Sequence, residues 1–260
     1  MAMSRNKSVA RAFAILNSFG SSNEWISCQE LSRRAKLSNA SGHRLVTTLV
    51  EIGAVVRGVG GRYRAGMLLV SLARNVAITE VLREASEDII FELANRANAT
   101  VHLGILEKGM VTYVTKASTP TSLLTHARPG AQLEGYSSGL GKVLLAGLPR
   151  RELESILFDG ELVPLTPYTI IDRKELVRQL NRVRTLGFAV DDRETRDDLC
   201  CVAVPVHDGD GRVVGALSAS DRAQCMTPER QAELCVKLLE TATVLGHKLY
   251  RFELPTSRDA

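Results

Sequence analysis

Apolar residues at Val9, Ala12, Phe13, Leu16 and Phe19 recur at three- and four-residue steps and predict a first helix that stops at Gly20. Ser27-Cys28-Gln29-Glu30 then reads as a capping box, in which Ser and Glu each satisfy an orphan amide at a helix start. Leu31 and Ala35 follow at i+4 spacing, Lys36-Leu37 turns the chain, and Ser38 can cap a further helix. On that helix Leu45, Leu49 and Ile52 make the predicted buried stripe, with Val46 beside it, and Gly53 ends it. Asn39, His43, Arg44 and Thr47 fall on the opposite face. Gly42 costs about 1 kcal/mol against Ala in a helix, and close packing of the two helices accounts for it. Val55-Val56-Arg57, a glycine tip at 58–61 and Arg62-Tyr63-Arg64 read as a two-stranded wing. The whole is a winged helix-turn-helix.

From Met67 to Ala97 the pattern is helical almost throughout, with apolar faces from Leu68, Leu72, Val76, Leu82, Ile89, Ile90 and Leu93. A break is predicted near Ile78-Thr79-Glu80, where β-branched residues cluster. A linker helix with apolar residues and little to bury them on suggests a dimer contact, as a two-fold operator requires. The remainder alternates. Thr100–Leu106 and Met110–Lys116 read as strands joined by Glu107-Lys108-Gly109, and Ser122–His126 as a third. Leu140–Leu148 reads as a helix. Asp172–Leu186 is a stronger one, capped by Asp172, striped by Leu176, Leu180 and Val183, and ended by Gly187. Phe188–Val190, Cys201–Val206 and Val213–Ser220 read as strands, the last two turning at Asp208-Gly209-Asp210-Gly211. Thr227-Pro228-Glu229 opens a final helix to about Tyr250. An antiparallel sheet with flanking helices makes this part α+β.

Charge divides the chain along the same line. Residues 1–75 hold 11 Lys or Arg and 3 Asp or Glu, about +8; of the total 33 basic and 29 acidic residues, 22 and 26 remain, about −4. A basic head on a mildly acidic body implies that the head meets phosphate, and duplex DNA is the expected partner. Composition is ordinarily globular, with 45% hydrophobic and 24% charged residues. No apolar run reaches the roughly 18 residues a membrane span needs, and the N-terminus lacks a signal-peptide stretch. Five scattered cysteines, without Cys-x-x-Cys spacing, fit a reduced cytoplasm. His102, His126, His207 and His247 show no ligand spacing, so neither metal nor cofactor is expected.

Two motifs suggest other chemistry. Gly135-Tyr136-Ser137-Ser138-Gly139 matches the Gly-x-Ser-x-Gly elbow of serine hydrolases, with Asp191 and His207 following in the right order. That elbow needs a buried strand immediately before it, which Pro129–Glu134 does not resemble. Gly139-Leu140-Gly141-Lys142 looks like a phosphate loop, but its spacing from Gly135 is one too long and Val143 stands where Ser or Thr is needed. Cys200-Cys201 is a possible redox pair; buried small hydrophobes in a strand is the favoured reading.

Several blocks resemble the IclR (isocitrate lyase regulator) family of bacterial transcription factors, over about residues 6–250. They are Leu31-Ser32-Arg33-Arg34-Ala35 through His43-Arg44-Leu45, Arg62-Tyr63-Arg64-Ala65-Gly66, and Gly139-Leu140-Gly141-Lys142-Val143-Leu144-Leu145-Ala146. Gly187-Phe188-Ala189-Val190-Asp191-Asp192, Cys201-Val202-Ala203-Val204-Pro205-Val206 and Ala216-Leu217-Ser218-Ala219-Ser220 continue it. The resemblance implies a winged helix-turn-helix over 5–66, a linker helix over 67–80 and a GAF-like effector domain over 81–255. It also implies a homodimer or dimer of dimers that binds operator DNA and answers to a small organic or aromatic acid. A repressor of a catabolic operon, cytoplasmic and at the bacterial nucleoid, is the expected role.

DNA contacts are expected from Ser38, Asn39, Ser41, His43, Arg44 and Thr47, with Arg57, Arg62 and Arg64 on phosphate or in the minor groove. By resemblance the effector pocket holds Gly139 and Leu140, whose amides would meet a carboxylate, together with Asp191, Cys201, Ser218 and Ser220. Leu140 replaces the family's small Ala and narrows that wall. Thr195–Asp198 departs from the family's acidic-then-Gly loop.

Overall fold

The computed structural model describes residues 6–20, 24–123, 125, 127–158 and 160–250. The chain separates into two compact units, which divide between Ala77 and Ile78.

In the first unit α1 (Lys7–Asn17), α2 (Cys28–Arg34) and α3 (Asn39–Glu51) surround Ile15, Leu31, Val46 and Leu49. α1 fully buries only Ile15; of the predicted stripe Ala12, Leu16 and Phe19 pack half-buried against the core, while Val9 and Phe13 stand in solvent. α3 differs in the same way. Its buried line is Gly42, Val46 and Leu49; Leu45 is half-buried and Ile52 is 56% exposed. Ser27 caps α2 by accepting from the Glu30 amide at 3.2 Å, but the Glu30 carboxylate binds Arg33 and Arg34 instead of closing the box. The wing is three-stranded. β1 (Ile26–Ser27), β2 (Val55–Arg57) and β3 (Arg62–Ala65) pair antiparallel in the order β1-β3-β2. A Cβ on Gly42 would lie 1.9 Å from Ser32 Oγ, so the close approach of α2 and α3 excludes every other residue type there without a shift. α4 (Met67–Ala73) ends in a turn at 74–77, about four residues before the predicted break. Ile78 and Thr79 instead begin the next helix.

The second unit is a six-stranded antiparallel sheet in the order β6-β5-β4-β9-β8-β7. Its strands are β4 (Thr100–Glu107), β5 (Met110–Ala117), β6 (Gln132–Glu134), β7 (Ala189–Asp192), β8 (Leu199–His207) and β9 (Val213–Arg222). Helices cover both faces, which is why β4, β5, β8 and β9 are buried along nearly their whole length. α5 (Ile78–Ala97) and α9 (Pro228–Leu249) pack Leu82, Ile90, Leu93, Leu234, Leu238 and Leu245 on one face, against Val101, Leu103, Val202, Val204, Leu217 and Ala219. On the other face α6 (Gly139–Gly147), α7 (Arg150–Phe158) and α8 (Arg173–Leu186) bury Leu140, Leu144, Leu153, Leu176 and Leu180 against Ala203 and Ala216.

Asp172 and Gly187 bound α8 as its spacing predicts, and Thr227 caps α9. The expected strand over Ser122–His126 does not form in described residues 122, 123 and 125; Leu124 and His126 lie outside the described residues. The edge beyond β5 is taken instead by β6, three residues that are exposed or half-buried and carry no apolar pattern. No described helix is long and apolar enough to cross a membrane.

Candidate DNA interface and ligand cavity

α3 enters the head through Ser38, whose Oγ accepts from the Ser41 amide at 3.3 Å and donates to Ser41 Oγ at 3.1 Å. Packing of Gly42, Val46 and Leu49 inward turns Asn39, His43, Arg44 and Thr47 out, and all four are exposed. Thr47 Oγ1 donates to the His43 carbonyl at 2.9 Å and keeps its lone pairs outward. The basic residues fall into two groups. Arg33 and Arg34 are held by Glu30 and Glu24, and this pairing brings the Glu30 carboxyl down to about 2, Arg33 being the larger cause. Among the described residues no carboxylate pairs with Arg44, Arg57, Arg62 or Arg64, so their charge is available to phosphate. Arg64 lies 5.0 Å from the Trp25 ring centroid, and a Cβ on Gly58 would come within 2.3 Å of the same indole. Trp25 thus braces the wing from beside β1, a role no spacing in the sequence announces.

In the second unit the sheet face beneath α6 changes character toward one end. Ala203 and Ala216 are apolar, but the rungs beyond them are not. Asp191 on β7 pairs with Cys201 on β8, Cys201 with Ser220 on β9, and Ser218 with His102 on β4. These side chains, with Leu140 of α6 and Tyr113 of β5, line a cavity of about 260 Å3. The structure therefore brings Leu140, Asp191, Cys201, Ser218 and Ser220 to one place. Gly139 stands behind the lining, where a Cβ would lie 2.8 Å from Cys201 Sγ. The segment between β5 and β6 closes the cavity with Thr125, Ala127 and Ala131. Lys116 Nζ donates to the Thr125 carbonyl at 2.5 Å, and His102 Nε2 meets Thr125 Oγ1 at 3.0 Å.

Each polar wall group has a distinct state. Asp191 Oδ1 accepts from the Glu194 amide at 2.7 Å, and Thr195 Oγ1 donates to Oδ2 at 2.7 Å. Burial raises the Asp191 carboxyl above the usual range, against the Thr195 bond and the positive charge of Lys142. Burial also takes the His102 imidazole down to about 3, with Lys116 adding to the effect, so the ring is neutral. The Cys201 thiol and the Tyr113 phenol are both pushed up, first by burial and then by negative charge nearby. Cys200 faces the opposite core and is pushed up to about 12 by burial and Asp192. Neither thiol is an activated nucleophile.

The hydroxyls of Ser218, Ser220 and Tyr113 are the most telling feature. All three residues are buried, all line the cavity, and among the described residues no protein group hydrogen-bonds to them. These oxygens open onto the cavity, so each is available to hydrogen-bond a polar group that enters it. His102, Tyr113, Thr125, Thr195 and Arg196 were not singled out from sequence as lining residues. The signal for two of them was present: a lone His and a lone Tyr alternate with apolar residues in strands that are otherwise buried on both faces.

The two other motifs resolve structurally. Ser137 is buried, and its Oγ donates to the Glu134 carbonyl at 3.4 Å. A strand does precede it, but β6 is a short edge strand, and among the described residues no histidine bonds to Ser137. His207 lines a separate groove with Asp208 and Tyr250. Lys142 is fully buried, donates to the Val190 carbonyl at 3.1 Å and pairs with Glu194, so the Gly-Lys element ties α6 to the β7 turn and faces no phosphate. Among the described residues there is no cluster of His, Cys, Asp or Glu able to hold a metal.

Comparison with known proteins gives a consistent result. Residues 8–58 match the IclR helix-turn-helix domain, and residues 75–247 match the bacterial transcriptional regulator IclR C-terminal family. The chain is 33% identical to the HTH-type transcriptional regulator XynR of Escherichia coli over 94% of its own length and 97% of that protein. It is also 33% identical to KdgR of Escherichia coli, over 90% of this chain and 89% of that one. Its fold is similar to the crystal structure of Thermotoga maritima IclR, with TM-score 0.62 and 29% identity over 94% of this chain and 99% of that one. An IclR homologue from Microbacterium hydrocarbonoxydans, complexed with 4-hydroxybenzoate, matches with TM-score 0.61 and 25% identity over 94% and 99%.

Proposed function

This chain belongs to the IclR family of bacterial DNA-binding transcriptional regulators, and we propose that it represses a catabolic operon under the control of a small carboxylic acid. The observation that carries the reading is the cavity wall of Asp191, Cys201, Ser218 and Ser220, with serine hydroxyls that no protein group among the described residues meets. Ser218 and Ser220 would hold the carboxylate, helped by the amide of Leu140 where α6 begins, with Gly139 behind it giving room for Cys201. Asp191, held toward neutrality by burial, would share a proton with the acid, because two carboxylates at one site do not both ionise readily. The 4-hydroxybenzoate bound by the Microbacterium relative favours an organic acid of aromatic size.

In the head, Asn39, Ser41, His43, Arg44 and Thr47 would face base edges while Ser38 holds the start of α3. Arg57, Arg62 and Arg64 would take phosphate or the minor groove. The exposed apolar residues of α1 and α4, among them Phe13, Met67 and Leu72, would be covered by a second copy, giving a homodimer or dimer of dimers on a two-fold operator. Domain roles follow the divisions 5–66 for DNA, 67–80 for the linker and 81–255 for the effector. The site of action is the cytoplasm, at the nucleoid.

Ligand control would work by population shift, the acid binding better to one arrangement of the linker than to the other. The test is a gel shift on the intergenic DNA upstream of the protein's own reading frame, at fixed salt, with a panel of small carboxylic and aromatic acids. A retarded band that one acid reverses is the expected result. A band that every acid leaves unchanged would overturn the ligand control, and no band would overturn the operator.

A further inference from the structure

The wing of the first unit ends in a residue that attraction between charges does not explain. Arg57 and Arg62 bracket the tip Gly58-Val59-Gly60-Gly61. Val59 at that tip is 99% exposed, while Val55 and Tyr63 of the flanking strands are buried. Turn residues are ordinarily Gly, Asn, Asp or Ser, which suit both the backbone and water. A β-branched apolar residue there adds nothing to the protein's own packing and gains only when another surface covers it.

The tip is held in place. β2 and β3 pair Val56 with Arg64 and Arg57 with Tyr63, and the Gly58 amide donates to the Arg62 carbonyl at 2.8 Å. The Trp25 indole lies against Gly58, and Arg64 lies over the same ring. Gly60 and Gly61 take φ of +70° and +67°, which turns the chain back directly after Val59. A Cβ at either would meet no atom within 4 Å. The end of the wing is therefore bare backbone with one isopropyl group projecting from it. A full two-stranded ribbon suits the major groove and is too broad for a minor groove ~6 Å wide; a glycine tip with a single small side chain fits the narrower one.

The two bracketing guanidinium groups have no carboxylate partner among the described residues, and a narrow minor groove is where the negative potential of DNA is enhanced. In that groove the base pairs differ in one respect. A·T shows acceptors only, whereas G·C adds the guanine 2-amino donor. Valine offers that donor no acceptor, and the arginines beside it are donors as well. A guanine amino group beneath Val59 would lose its water and gain no partner.

We infer that Val59 is a sequence-selecting residue of the wing, seated in the minor groove beside the site read by α3, where it excludes base pairs that carry the guanine 2-amino group. The inference rests on the DNA reading above and deepens it. The arginines hold the wing to DNA of any sequence, and Val59 decides which pairs lie beneath it.

The test uses duplexes that the full chain selects from a random library. Each pair of the selected site is replaced in turn by G·C and by I·C, since inosine is guanine without the 2-amino group and leaves the major groove unchanged. At one or more positions the G·C duplex should bind the wild type about tenfold more weakly than the I·C duplex, the cost of one desolvated donor. Val59→Ala leaves room for water and Val59→Thr supplies an acceptor, so each should bring that ratio to within about twofold. Tm should not change in either variant, because the Val59 side chain is in water. Arg57→Ala should weaken binding to every duplex alike and keep the ratio. A site with no position that separates I·C from G·C overturns the inference, as does a ratio that survives both Val59 variants. Loss of the ratio in Arg57→Ala also overturns it, by assigning the selection to charge. A library from which no sequence is enriched overturns the DNA reading and this inference together.

Discussion

In the head, the residues proposed to act are in water. Arg44, Arg57, Arg62 and Arg64 are exposed and, among the described residues, free of carboxylates, and they stand on a small core around Ile15, Leu31, Val46 and Leu49. In the second unit the residues proposed to act are inside. Asp191, Cys201, Ser218 and Ser220, with His102 and Tyr113 beside them, are all buried, and beneath them lies the Lys142–Glu194 ion pair, with Lys142 fully enclosed. The difference teaches where function and stability are separable. An exposed charge can be removed from the head with little structural cost, because water replaces what it touched. A polar group in the cavity unit is part of the core, so its removal is felt in the fold unless it is one of the hydroxyls without a protein partner.

The largest expected effect comes from breaking the buried pair. Lys142→Met leaves Glu194 enclosed without its counter-charge and should destabilise the second unit by about 3–5 kcal/mol. Lys142→Met with Glu194→Gln should recover much of that. The chain's one tryptophan, Trp25, is in the head, so far-UV circular dichroism and tryptophan fluorescence during urea unfolding report the two units differently. A loss below about 1 kcal/mol would erase the distinction drawn here. Gly42→Ala asks whether the head has one tight point of its own; forcing a Cβ against Ser32 should cost about 1–3 kcal/mol, read as an earlier fluorescence transition.

Arg44→Ala should weaken specific DNA binding by about 1–3 kcal/mol with an unchanged melting transition; unaltered affinity would remove Arg44 from base reading. For the effector unit, pH is the sharper probe. The His102 pKa is depressed from its ordinary 6.5 to about 3 by burial. The folded unit thus refuses a proton that the unfolded chain accepts. The stability from this neutral ring is complete above pH 6.5 and is lost as pH falls toward about 3, at ~1.4 kcal/mol per pH unit. In His102→Leu that slope should vanish from the variant's stability curve; a retained slope would place the titration elsewhere. The smallest effect is Trp25→Ala, which removes a cation–π contact of about 0.5–1 kcal/mol and loosens the wing, so DNA affinity should fall modestly at low salt while the second unit is unaffected.

Local chemistry was the legible part of this sequence. Caps at Ser27, Ser38, Asp172 and Thr227, the Asp-Gly turn and the left-handed Gly187 announce themselves, because each depends on residues a few positions apart. Face assignment on α1 and α3 was less secure. Phe13 and Ile52 are as apolar as the residues actually buried, and only tertiary packing of Ile15, Val46 and Leu49 decides between them. β6 was illegible because an exposed three-residue edge strand needs no pattern to pair with β5. That Asp191, Cys201, Ser218 and Ser220 would share one cavity was expected from short blocks on β7, β8 and β9 that resemble a known family. The rest of its lining was hidden because β4 pairs with β9 more than a hundred residues away, and nothing local places His102 beside Ser218.

The most direct test of the central claim, that an acid in the second unit governs DNA binding by the first, is the affinity for labelled operator DNA with and without the responsive acid. It should be measured by fluorescence anisotropy in the wild type and in Ser218→Ala/Ser220→Ala. The account predicts that the acid changes wild-type affinity by roughly 5–150-fold, and that the double variant binds DNA normally without acid and ignores it when added. A double variant that still answers to the acid as the wild type does, or a folded one that has lost operator binding altogether, would contradict it.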